Sequence, residues 1–315
     1  MNDDTLYLAT TVDADSDFFD ASLFPGESQA ELRWQGIEEG IPLLINTLRG
    51  YRDSFGQVLR FTWFVRADNQ LRDIYGGAAD LLKIHKQLWQ ACLESGDEIG
   101  WHPHLYKKMG ERWVQETRPA YIIEDLRQSY QAVMAEGFRP VSSRIGEAFQ
   151  SNEIMNELAN LGVKVDSTAM PGRARTDSER SFDWLATPPH PYYPAKTNYR
   201  VPGENEDRIN ILEVPMSMVE TKVEYDRGPV MRYIDLSFHN SVIREGLSAY
   251  LKKNDYLVSI THPSTVLPLP DREHPLISFD IEEVERNLNT ILAECSTLGK
   301  KIRFVTISEF RDIKG

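Results

Sequence analysis

The chain has 315 residues, 41% of them hydrophobic, enough to bury a large core in one α/β barrel or two smaller domains. A formal net charge of −13 argues against a nucleic-acid or anionic-membrane partner held mainly by charge. Cys92 and Cys295, the only cysteines, form neither a CxxC nor a disulfide framework, and no apolar run approaches the ~20 residues of a membrane helix.

Met1-Asn2-Asp3-Asp4 is acidic and leads straight into a strand, unlike a signal peptide. With two thiols expected to stay reduced, the expected compartment is the cytoplasm. Oligomeric state stays open.

Leu6 to Val12 is apolar and rich in strand formers, and it ends in Asp13-Ala14-Asp15-Ser16-Asp17. After a loop carrying Pro25-Gly26, Ile37, Ile41, Leu44, Leu48 and Tyr51 recur at steps of four and three, which predicts an amphipathic helix. Val58 to Val65 reads as a second strand, ending in Arg66-Ala67-Asp68. A helix follows with Ala78, Leu81, His85, Leu88 and Cys92 on one face, which makes His85 a core histidine. The third strand is Glu98 to His102.

Ile122, Leu126, Tyr130 and Val133 mark another helix, and Gly137 is placed to end it. Val141 to Arg144 reads as a short strand, Ile154 to Leu161 as a helix closed by Gly162, and Val163 to Val165 as a strand running into Asp166-Ser167. Residues 170–209 show no sustained period, yet Trp184, Tyr192 and Tyr193 suit an ordered excursion better than a linker. Ile211 to Met216 is a strand and Ser241 to Leu251 a helix. The strand Tyr256 to Thr261 then ends in His262-Pro263. Asp280 and Glu283 predict a capping box for a helix with Val284, Leu288, Ile291 and Leu292 inward. Ile302 to Ile307 is the last strand.

Strands alternate with helices almost throughout, which predicts βα units and a parallel sheet. About eight strands without a composition break favour one barrel over two domains, and such a barrel places its chemistry after strand ends.

Those ends supply Asp13 and Asp15, His102 and His104, Arg144, Asp166 and His262. Pro103 keeps His102-Pro-His104 extended, and residues two apart on an extended chain face the same side. One carboxylate with two neutral imidazoles is a common ligand set for Zn²⁺ or a similar ion, with positions left for water and substrate. The second carboxylate can then serve as base on a metal-activated water. Arg66, Trp184 and Tyr192 are expected to face substrate, since aromatics at a barrel mouth suit a sugar face. His190, His239 and His274 carry no usable pattern. No Gly-x-Ser-x-Gly elbow, Walker A loop, Rossmann glycine fingerprint or His-Glu-x-x-His is present.

In ordered short motifs spanning nearly its whole length, the chain resembles the polysaccharide deacetylase superfamily, the NodB-like carbohydrate esterases. Thr10-Thr-Val-Asp13-Ala-Asp15 is similar to the family's Thr-Phe-Asp-Asp-Gly, and Gly96-Asp-Glu-Ile-Gly-Trp-His102 to its Gly-His-Glu-Ile-Gly-Asn-His. Arg144-Ile-Gly146 with Val165-Asp166-Ser167, Glu213-Val-Pro215, Thr261-His262-Pro263 and the tail Phe304 to Phe310 resemble later motifs.

The resemblance implies an α/β fold, a distorted (β/α)7-type barrel forming a single domain over residues 1–315, with the excursion at about 170–209. It implies metal-dependent removal of acetyl from an N-acetylated sugar, as in surface-glycan synthesis. In that picture Asp13 is the general base, Asp15 and His102 are ligands, Arg144 orients the base, and His262 is the general acid. His104 is the expected third ligand and Asp166 a further catalytic-site residue. The family's ligand carboxylate directly follows the base, where this chain has Ala14, and its second histidine stands where this chain has Tyr106. Two other readings follow: a hydrolase of a small cyclic amide, and a degenerate barrel that binds glycan without cleaving it.

Overall fold

A computed structural model describes residues 4–17, 32–110, 112–177, 180–268 and 274–314; the expected Pro25-Gly26 loop lies outside them. The chain divides into two compact units, each assembled from non-contiguous segments.

The first unit takes the described residues up to 17, then 33–62 and 216–306. Its central strand is Thr5–Ala14, with nine of ten residues buried. Burial on both faces explains why it reads as a continuous apolar run rather than an alternation. Tyr256–Ser259 and Lys301–Phe304 pair with it in parallel, Tyr7 opposite Tyr256 and Thr5 opposite Lys301. Parallel neighbours need a crossover, and the helix Ile281–Thr297 supplies it, burying Val284, Leu288, Ile291 and Cys295.

Asp280 caps that helix through the Glu282 N–H, 2.9 Å, but the predicted capping box does not close. Glu283 instead accepts the Asn240 N–H at 2.6 Å. The helix Asn240–Lys253 has no side-chain cap of its own, so this distant carboxylate satisfies one of its orphan donors. The predicted stripe Ile37, Ile41, Leu44 and Leu48 is buried, carried by a π turn at Gly36–Gly40 and the helix Ile41–Leu48. An antiparallel hairpin, Met218–Thr221 with Val230–Tyr233, has no counterpart in the periodicity.

The second unit contains Trp63–Pro215. Its parallel strands stand in the order Leu212–Glu213, Val165–Asp166, Ser142–Ser143, Glu98–His102 and, from residue 63 on, Phe61–Arg66. Trp101 is opposite Ser143, Ser143 opposite Asp166, and Asp166 opposite Glu213. One step further along lie His102, Arg144 and Ser167, at the carboxyl ends. The helices Pro119–Ala135 and Asn152–Leu161 stop where Gly137 and Gly162 take φ of 90° and 101°.

One expectation needs correction in this unit. The helix drawn through His85 is two helices, Asp80–Ile84 and Lys86–Glu94, with half-buried His85 at the break and Trp89 filling the core. The excursion is ordered, as expected, but it contains antiparallel hairpins, Ala174–Thr176 with Ser181–Asp183 and Pro194–Ala195 with Asn198–Pro202. Among the described residues no helix is long and apolar enough to cross a membrane.

Candidate metal and catalytic site

In the second unit the strand Glu98–His102 delivers His102 to its carboxyl end, 3% exposed. The Arg144 carbonyl lies 2.7 Å from His102 Nδ1. A carbonyl only accepts, so Nδ1 carries the proton and the lone pair is left on Nε2, as a metal ligand requires.

Two residues on, the His104 N–H donates to Asp68 Oδ2, 3.2 Å, and its ring stands perpendicular to that of His102. The two Nε2 atoms are 3.1 Å apart. Two nitrogens each about 2.0–2.1 Å from one Zn²⁺ stand about 3.1–3.4 Å apart at near-tetrahedral angles, so this donor pair fits a shared ion. The extended-chain argument for His102-Pro103-His104 thus places both imidazoles on one point.

Tyr106, at the family's second histidine position, does not join them there. Its hydroxyl donates to the Glu147 carboxylate. Burial first, then the negative charge of Glu147, pushes the phenol well above its ordinary pKa.

Arg144 is 1% exposed, its Nε donating to the Ser167 carbonyl at 2.9 Å and its guanidinium 4.3 Å from the Phe64 ring centroid. Asp166 is 0% exposed and accepts from Ser143 Oγ at 2.6 Å and Gln150 Nε2 at 3.0 Å. Glu213 lies beside it, and burial, then the Asp166 carboxylate, pushes Glu213 well above the usual carboxylate range. Asp166 therefore sits in a buried polar network one residue behind the rim.

The residues expected to meet substrate are enclosed. Arg66 is 2% exposed, with Nε 2.7 Å from Asp68 Oδ2, so it steadies the carboxylate that holds the His104 backbone. Trp184 is 0% exposed, its indole N–H donating to the Ala148 carbonyl at 2.8 Å. Tyr192 is 4% exposed, its hydroxyl donating to the Tyr199 carbonyl at 2.8 Å. The expected contact of Trp184 and Tyr192 with a sugar face gives way to packing of the excursion, because neither ring has an open face.

In the first unit, Asp13 and Asp15 are 5% and 4% exposed. The Asp13 N–H donates to the Thr261 carbonyl at 3.0 Å, and the Asp15 N–H back to the Asp13 carbonyl at 2.8 Å. The chain thus bends at Ala14 instead of running straight through the Asp-x-Asp. Asp17, two residues on, accepts the Gln35 and Gly36 N–H groups and caps the π turn, a structural task.

His262 follows Thr261, whose N–H donates to the Thr11 carbonyl at 3.1 Å. Burial alone would lower the His262 pKa, but Asp235, Asp13 and Asp15 outweigh it and hold the imidazole above its ordinary value. Nδ1 is 3.9 Å from Asp235 Oδ2, an ion-pair distance. Asp235, which sequence reasoning missed, is anchored by Ser237 N–H at 2.8 Å and Ser237 Oγ at 2.7 Å. Its only advance sign was an Asp closing the short apolar run Tyr233-Ile234.

The first unit thus gathers Asp13, Asp15, Asp235 and His262, and the second gathers His102, His104 and Arg144. Among solved structures, the chain is similar to one described as a polysaccharide deacetylase from Mycobacterium smegmatis, at 16% identity and a TM-score of 0.57, over 99% of this chain and 90% of that one. It is also similar to the structure of Puue allantoinase, at 11% identity and a TM-score of 0.52, over 96% of this chain and 88% of that one. No family model and no curated protein matches the chain. The fold is that of the NodB-like polysaccharide deacetylases, α/β of the distorted (β/α)7-barrel type.

Proposed function

We propose that the protein is a metal-dependent carbohydrate N-deacetylase, in which His102 and His104 bind one divalent ion, most simply Zn²⁺. The observation that carries this reading is the His102–His104 pair, two buried imidazole nitrogens 3.1 Å apart with one tautomer set by the Arg144 carbonyl. The fold and the order of motifs along the chain support it. The bound ion would supply Lewis-acid polarisation of the acetyl carbonyl and a lowered pKa for the attacking water.

The chain's own groups then divide the proton work. Asp13 takes a proton from the water that adds to the acetyl carbon. His262, whose hold on its proton is strengthened by Asp235, Asp13 and Asp15 against the opposing effect of burial, gives that proton to the nitrogen as the C–N bond breaks. Acetate and a free amine leave.

The substrate class is an N-acetylated sugar, in the setting of a surface-glycan precursor made in the cytoplasm. The two buried, unbridged cysteines support a reducing compartment. Similarity to an allantoinase supports a second reading in which the amide is small and cyclic.

Metal analysis and acetate release test the proposal together. About one ion per chain is expected, with His102→Ala lowering metal affinity at least 100-fold and abolishing acetate release from N-acetylated sugars. Equal metal content in both proteins would overturn it. Ring opening of a cyclic amide without acetate release would select the second reading.

A further inference from the structure

Glu147 and Ala148 are consecutive non-glycine residues with φ of 60° and 53°. Side chains rarely adopt this left-handed backbone, and it persists only where the surroundings over-determine it. Here they do. The Ile145 N–H donates to Thr168 Oγ1 at 2.8 Å, and the Gly146 N–H to the Pro103 carbonyl at 2.9 Å. The Ala148 carbonyl accepts the Trp184 indole N–H. The turn is tied at one end to the His-Pro-His segment and at the other to the excursion.

The tied turn serves His104. Gly146 forms a floor under the imidazole, since a Cβ at that position would overlap the ring atoms. The next residue raises its carboxylate beside the ring, Glu147 Oε1 lying 3.9 Å from His104 Nδ1. That carboxylate is 6% exposed and held on both oxygens, by the Tyr106 hydroxyl and by Arg180 Nε at 2.5 Å. A fixed negative charge on the Nδ1 side favours the tautomer with its proton there. Nε2, the nitrogen facing His102, is then left with its lone pair.

We propose that Glu147 is a positioning residue that presents His104 Nε2 as a metal ligand, and that Tyr106 and Arg180 hold its carboxylate in place. Tyr106 then acts one layer behind the ligand. This inference rests on the metal-dependent reading above and adds what makes His104 a competent donor at a position where the family pattern has none.

The test uses purified full-length protein stripped of metal and titrated with Co²⁺ alone, following affinity by chelator competition and geometry by the Co²⁺ absorption spectrum. Glu147→Gly and Glu147→Asn suit the φ of 60°, so both variants keep the turn while removing the carboxylate. Co²⁺ affinity is expected to fall 10- to 100-fold in both, with a changed absorption band. Tyr106→Phe is expected to shift both readouts the same way, by less. Wild-type affinity and an unchanged band in both Glu147 variants, with His102→Ala abolishing binding, would overturn this inference alone. Binding in the wild type no stronger than in His102→Ala would overturn the metal-dependent reading and the inference with it.

Discussion

The two units reach functional geometry by different means. In the first, backbone pairing places the groups: Asp13 and Thr261 are linked by a strand hydrogen bond, and the residues after them follow. Chemistry there is tuned by charge, with three carboxylates acting on one buried imidazole. In the second, strand ends deliver His102 and Arg144, but His104 needs a turn, a hairpin and an aromatic excursion around it. The first rim should therefore be sensitive to pH, and the second to packing.

The largest effect should come from breaking the packing side of this contrast. Trp184→Ala empties a fully enclosed indole site and frees the Ala148 carbonyl, at a cost of about 3–5 kcal/mol. Urea denaturation should show this as a lower midpoint. An unchanged midpoint would mean that the excursion does not brace the turn.

A pH profile probes the other side. In the proposed role of general acid His262 must be protonated, and its raised pKa would carry activity toward higher pH. Asp235→Asn removes one of the raising charges, so the alkaline limb of kcat/KM should move to lower pH. Activity is lost on that limb, with little change at the acid end. A limb that stays in place would break the assignment of Asp235 to His262.

The smallest effect concerns Glu116, which follows the antiparallel hairpin of Tyr106–Met109 with Arg112–Gln115. Arg118 hydrogen bonding outweighs burial and, with the Arg118 and Thr117 N–H groups and Lys107, pulls the Glu116 carboxyl down to about 2. A depressed folded-state pKa contributes stability above the unfolded value, near 4.3, and loses it as pH falls toward 2. Arg118 is 56% exposed, so solvent screening limits the contribution to about 0.5–1 kcal/mol. Glu116→Gln should lower the unfolding free energy by that amount at pH 7 and by nothing near pH 2, measured by denaturation at the two pH values.

Much of this was written locally. Asp280 starts its helix with a side-chain cap, Gly162 ends its helix through a left-handed backbone, and Pro103 keeps His102 and His104 on one side of an extended chain. Other assignments failed where a distant partner competed. Glu283 left its own helix for the Asn240 N–H, because that second helix lacked a cap. Trp184 and Tyr192 looked like a sugar platform, since an aromatic residue in a Pro-rich stretch gives no sign of which face will be covered. Asp235 and Glu147 were invisible for the same reason: each acts on a histidine 27 or more residues away.

The sequence by itself determined the alternation of strands and helices and the polar residues that follow the strands, because periodicity and punctuation are properties of neighbouring residues. Only the tertiary structure decided that the imidazole nitrogens of His102 and His104 meet at 3.1 Å, that Asp17 is a cap, and that Tyr106 turns to Glu147. Those outcomes depend on which buried polar groups find each other, and segments remote in the chain settle that competition.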